Sequence, residues 1–523
     1  MYTLWGRQFQ KVTHSKDTRE PMNPPDKRFT LMALAVVLVL IVACDKSTEE
    51  RQVLETGLAS DGDWSLIVER STIAPEISEQ WPEARFATTG KIQAAEQRVG
   101  DPEAGRRALL EESYVNCGLP ERVFRQLQGD TPVISIPGRT DKANGLPYNV
   151  NAVMDQEGVP IVSSNCLTCH ATPLFGELVV GLGNEFLDFT GDASARVERA
   201  GTLVQGADET RSWERFADRI SAIAPFIKPH TLGVNPANNL TFALIAHRRA
   251  EDNTWSDEPL LELPPVDPPP VSVPPWWRMS KKPAMFSLGE GRLDHARIMM
   301  AASMLCSDSP EELARIDEFA PDIRAFIASL KPPEWPFDVD ESLAAVGRDL
   351  FEVNCSRCHG TYGPNSTYPA RLVPIAEIQT DSTLIDFAHG DGVPYVDWYN
   401  RSYYGELSTA APGAGYVAPP LDGIWATAPY LHNGSVPTVR ALLDSAQRPA
   451  LWRRLAVTGE DPSSYDSQDM GWRFDSLSKQ SDGKKAPSVY DAALPGYSNS
   501  GHYFGDHFNS EQRSAVIEYL KVL

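Results

Sequence analysis

The chain has 523 residues, 48 basic and 70 acidic, for a net charge of −22. That acidic balance argues against a nucleic-acid surface and suits either simple solubility or cationic partners such as a basic redox donor. The length exceeds what one hydrophobic core usually serves, so two domains behind a leader are expected.

Lys27 and Arg28 precede an apolar run from Phe29 to Ala43, with the charged flank and short apolar core of a bacterial export signal. The run is shorter than a membrane span needs. Residues 1–21 do not look like the start of such a signal, so Met22 is the expected true start and 1–43 the signal peptide. Leu40-Ile41-Val42-Ala43-Cys44 resembles a lipobox. Cys44 is then the expected lipidated N-terminus of a chain anchored to a membrane and facing the periplasm, and Asp45 favours the inner membrane. The alternative is an ordinary cleaved signal.

Two further cysteine patterns carry the chemistry: Cys166-Leu167-Thr168-Cys169-His170 and Cys355-Ser356-Arg357-Cys358-His359. In C-x-x-C-H, two thiols add to the vinyl groups of one haem and the adjacent imidazole binds its iron. Two covalently bound haem c groups are expected, with His170 and His359 as proximal ligands. A thioredoxin-like dithiol or half of a zinc site would need partners that the sequence does not offer. Cys117 and Cys306 remain, as buried thiols or as a disulfide.

Each motif is followed after a similar distance by an apolar-periodic helix. The first holds Ile323, Phe326, Ile327 and Leu330, with Pro321 expected in its first turn; the second holds Val516, Ile517, Leu520 and Leu523 behind an Asn509/Gln512 cap. This repeat predicts two cytochrome c-like haem domains, 44–337 and 338–523, parted at Pro332-Pro333-Glu334-Trp335-Pro336. Beyond the cluster, Leu343, Val346 and Leu350 form a helical pattern leading into the second motif. Between the motifs a proline-rich tract runs from Pro264 to Pro275 and delivers Trp276-Trp277, a bridge between haems or a piece of core. The remainder reads as helices joined by long loops, so the expected class is mainly α.

Whatever fills the second axial position decides whether a haem carries electrons or binds an oxidant. For the second haem the candidates are His389, His432, Met470, His502 and His507; for the first, His230, His247 and His295 could stand on the distal side. The stretch Gly423-Ile424-Trp425-Ala426-Thr427-Ala428-Pro429-Tyr430-Leu431-His432-Asn433-Gly434-Ser435-Val436-Pro437-Thr438 resembles the signature of the bacterial dihaem cytochrome c peroxidase superfamily. That superfamily includes the methylamine-utilisation dihaem enzyme and the dihaem rubber oxygenases. Asn165 to His170, Trp276-Trp277, Asp294-His295-Ala296-Arg297 and Gly501-His502-Tyr503-Phe504-Gly505 look nearer to the rubber-oxygenase-like branch. The resemblance implies His502 as sixth ligand of the second haem and His432 as a pocket residue near the haems. His432, Trp277 and His295 are the catalytic candidates, and one calcium ion is expected beside the haems. It also implies a small donor protein, a cytochrome or cupredoxin, and peroxide or dioxygen as oxidant. One departure is that no histidine lies between His170 and His230, where a strict peroxidase would place its distal group. A purely electron-transferring dihaem cytochrome and an oxygenase acting on an apolar substrate are the alternatives.

Overall fold

The computed structural model describes residues 91–478 and 486–523. The signal peptide, Met22, Cys44 and Asp45 lie outside them. Two helix pairs organise what is described. In α1 (Pro102–Glu111) the Asp101 carboxylate caps the Glu103 and Ala104 amides, and in α2 (Pro310–Ser329) Ser309 caps the Glu312 amide ahead of Pro310. The helices meet so closely that a Cβ on Gly105 would lie 1.8 Å from the Asp322 carbonyl oxygen. The second pair repeats the device. α3 (Glu341–Asn354), capped by Asp340, touches α4 (Ser510–Lys521) where a Cβ on Gly347 would lie 1.8 Å from the Ala515 carbonyl oxygen. The Asn509/Gln512 cap expected for α4 is a full capping box. Pro321, expected in a first turn, lies inside α2 instead, because the Ser309-Pro310 start with acidic Glu311 and Glu312 extends the helix upstream.

The expectation of a mainly α fold is overturned. Of the described residues, 40% are helix and 13% strand, and they hold six small sheets, so the class is mixed α/β. An antiparallel sheet of β1 (Leu119–Pro120), β2 (Val150–Met154) and β3 (Pro160–Ser164), in the order β1-β3-β2, stands between α1 and the first motif. A hairpin of β4 (Ala171–Leu174) and β5 (Glu177–Val180) follows that motif directly. Strands this short carry too little alternation to register as a pattern in sequence.

One core gathers Leu109, Leu167, Ile323 and Ile327 and draws in Tyr395, Trp398 and Tyr404. Another gathers Leu350, Phe351, Trp425 and Val516 and draws in Leu174, Leu182 and Trp277. Each takes side chains from both sides of residue 337. Cys117 and Cys306, left open by sequence, form a disulfide with Cα atoms 5.7 Å apart. No helix among the described residues is long and apolar enough to cross a membrane.

Candidate functional site

α3 runs straight into the second motif: the Cys355 amide bonds back to the Phe351 carbonyl, and the turn Ser356–His359 ends on the histidine. His359 Nδ1 lies 2.8 Å from the Pro419 carbonyl, which can only accept. Nδ1 therefore donates, the ring is oriented, and Nε2 is left as the lone-pair nitrogen for a metal. A cavity of about 300 Å³, within the range of small-molecule and cofactor sites, is lined by Cys355, Cys358, His359, His502, His432 and Tyr416 among others.

His502 reaches this cavity from a loop whose backbone requires glycine on its N-terminal side. Gly501 has φ +84, and a Cβ there would meet the Thr380 amide nitrogen at 2.3 Å. The His502 amide donates to the Ile378 carbonyl at 2.8 Å, which fixes the residue at φ 52. The ring centroids of His359 and His502 are 6.2 Å apart. Two imidazoles on one metal, each through a bond of about 2 Å, stand about 6 Å apart between centroids, so the pair fits one iron held between them. Burial pushes His359 down and His502 down to about 3, which keeps both rings neutral, the form that ligates. His502 Nδ1 has no protein partner.

The rival ligands stand elsewhere. His432 lines the cavity, but its Nε2 is 3.0 Å from the Tyr416 hydroxyl and its ring stacks on that phenol at 4.1 Å. Met470 is fully buried in the second core and does not line the cavity, nor do His389 and His507.

At the first motif the Asn165 carboxamide oxygen accepts the Leu167 amide at 2.9 Å and starts the turn that ends on His170. Burial pushes His170 down to about 4, with the Pro274 carbonyl opposing it, and pushes the Cys169 thiol up to about 12. A thioether would remove that titrating proton. The ring packed on His170 is Trp276, stacked at 4.7 Å and 19°; among the described residues no second histidine packs there. His230 faces Asp267 at 3.5 Å, and His247 donates to the Ser256 carbonyl at 2.9 Å. His295 is buried in the first turn of the helix His295–Met299 and pushed down to about 4 by burial; it does not line the second-motif cavity. A second cavity, of about 530 Å³, lies beside the β4–β5 hairpin that follows His170, walled by Leu109, Leu110, Ile134, Ile136, Leu178 and Phe326.

The proline tract ends in a 3-10 turn, Trp276–Arg278, that joins the two regions. Trp276 lies on His170, while Trp277 belongs to the second core and donates from Nε1 to the Asp422 carbonyl at 2.8 Å. Arg278 then lines the His359 cavity. Sequence reading reached the two indoles and missed Arg278 and Tyr416. Adjacency to the tandem tryptophan was the available signal for Arg278; nothing local marks Tyr416.

Residues 415–453, which include Tyr416 and His432, match the family described as RoxA-like, cytochrome c-like. Over this stretch the chain is similar to a RoxA-like cytochrome c domain. Domains of that kind hold haem c covalently. Two proteins of Sinorhizobium fredii (strain NBRC 101917 / NGR234), both described as uncharacterized, are similar to parts of the chain. The protein y4iM is 33% identical over 199 residues, 34% of this chain and 44% of its own length. The protein y4iJ is 39% identical over 259 residues, 37% of this chain and 41% of its own. The chain thus spans less than half the length of these relatives. Among the described residues no group of three or more His, Cys, Asp or Glu could hold a metal ion, so neither the expected calcium nor a zinc alternative finds such a cluster.

Proposed function

We propose a dihaem c-type oxidoreductase of the cytochrome c peroxidase superfamily, in which the His359 site relays electrons and the His170 site meets peroxide or dioxygen. The observation that carries this reading is the asymmetry of the two motif histidines: His359 faces His502 across a cavity, whereas His170 carries an indole. Haem c, when bound, supplies one-electron exchange at a six-coordinate site and an open iron position at a five-coordinate one. The residues arrange the rest. Pro419 orients His359, the Gly501 loop pins His502, and Trp276-Trp277 lay an aromatic path between the regions. His432 and Tyr416 wall the relay cavity. A second reading, an oxygenase acting on an apolar substrate, is favoured by the mostly apolar cavity beside the β4–β5 hairpin, whose lining adds Arg106, Ser135 and Glu177 to its aliphatic residues.

A small cationic donor, a cytochrome or cupredoxin, suits the acidic chain. The Cys117–Cys306 disulfide suits an oxidising compartment, consistent with export and a lipid anchor at Cys44. Fractionation tests the anchor: Cys44→Ala should release the protein from membranes, and a soluble wild-type protein would refute it. Low-temperature electron paramagnetic resonance of the oxidised protein tests the division of labour. One high-spin and one low-spin ferric signal are expected; two low-spin signals would make the protein an electron carrier only.

A further inference from the structure

The 3-10 turn that carries the two indoles also inserts a cation that forms no ion pair among the described residues, the Asp422 carboxylate acting on it only at a distance. Arg278 is 6% exposed and lines the cavity of the second motif. Its Nε donates to the Asp422 carbonyl at 3.1 Å, beside the Trp277 bond to the same oxygen, so the guanidinium is held in place by backbone. Its Nη2 has no partner. Of the Asp422 carboxylate, Oδ1 is engaged by Lys281 at 2.6 Å and Oδ2 makes no hydrogen bond, to Arg278 or to any other described group. A buried guanidinium with an unused donor is costly unless an anion completes it. Lys282, whose amide bonds back to the Arg278 carbonyl, brings a second cation to the lining of the same cavity.

A carboxylate is the group that fits, since guanidinium nitrogens match its oxygens in number and angle. We propose that Arg278, assisted by Lys282, clamps a propionate of the haem attached at Cys355 and Cys358, so that one turn both anchors this haem and joins it to Trp277. The proposal rests on the dihaem reading above and adds to it a positioning role for Arg278. A clamp of this kind also sets the potential. A fixed positive charge beside the porphyrin favours the reduced state, so its loss should lower the midpoint.

The test uses the full-length holoprotein, with intact mass establishing two haems in the wild type and in each variant. Spectropotentiometry of Arg278→Gln should show the low-spin haem harder to reduce by about tenfold in its reduced-to-oxidised ratio, which is 59 mV for a one-electron couple. Its resonance Raman propionate-bending band should move while the six-coordinate low-spin marker stays, which separates a lost clamp from general loosening. Arg278→Lys should restore most of the potential yet still shift the bending band, because an ammonium lacks the two-pronged geometry. Wild-type potential and bending band in two-haem Arg278→Gln would overturn the clamp and leave the dihaem reading standing. If Arg278→Gln fails to fold, an unshifted bending band in Arg278→Lys overturns the clamp equally. A wild-type chain with no haem at Cys355 and Cys358 would overturn both.

Discussion

The regions around the two motifs use one construction and diverge where function would require it. In each, a helix pair meets at a glycine, Gly105 against Asp322 and Gly347 against Ala515, and in each a short turn presents a half-buried histidine behind two cysteines. They differ in what is inserted and in what faces the histidine. In the second region α3 leads into the motif without interruption, and a loop returns late in the chain to set His502 opposite His359. In the first region a three-stranded sheet intervenes, and the ring on the motif histidine is an indole that begins a path to the other region. One motif can thus be given two different settings, because the ring that faces its histidine comes from a segment outside the shared construction.

The largest effect should come from breaking the attachment on one side only. Replacing Cys355 and Cys358 by alanine should remove one haem from the intact mass and leave the other, since each thiol pair holds its own porphyrin. A variant that keeps both haems would end the comparison at its root. Next in size is a change of spin state without loss of haem. His502→Gly should turn one low-spin haem high-spin while both remain attached, making the second site resemble the first. An unchanged spectrum there, with a change in His432→Gly or Met470→Leu, would move the ligand to a rival.

The two motif turns were legible because C-x-x-C-H is a fixed local spacing that five adjacent residues suffice to state. The closing helices were legible for a similar reason: Val516, Ile517 and Leu520 repeat at helical intervals, and Asn509 and Gln512 announce their own cap. The strands were not. Leu119–Pro120 becomes a strand only because Leu119 lies opposite Val162, a pairing set by tertiary folding. Pro321 was misplaced because a proline reads locally as a helix start, while the stronger start at Ser309-Pro310 lies beyond that window. At the site, the place of His502 depends on Gly501 lying against Thr380, and that of Tyr416 on a stack with His432. Both are contacts between segments that no local pattern encodes.

The shared helix crossing can be tested on its own. A Cβ at Gly105 or at Gly347 would strike backbone, which cannot rotate away as a side chain can, so Gly105→Val and Gly347→Val should each cost about 3 kcal/mol. Denaturant unfolding followed at the two haem bands would show whether each substitution weakens its own region first. Equal loss at both bands from either variant would show that the two cores, which exchange Trp277 and Tyr404, unfold as one.

The smallest expected effect separates a wall residue from a ligand. The Tyr416 hydroxyl lies 2.9 Å from the Asp381 carbonyl and 3.0 Å from His432 Nε2. A phenol has one proton and the carbonyl can only accept, so Tyr416 donates to Asp381 and accepts from an Nε2–H of His432. Tyr416→Phe deletes both bonds inside a buried wall and should cost about 1 kcal/mol, read as a lower denaturation midpoint with an unchanged slope. The Phe ring keeps the stack on His432, so the haem spectra should not move. If His432 were instead bound to iron, the loss of the group that orients its ring would alter the low-spin bands at once. A spectral change in Tyr416→Phe, larger than its stability change, would therefore return His432 to the iron and leave His502 as part of the wall.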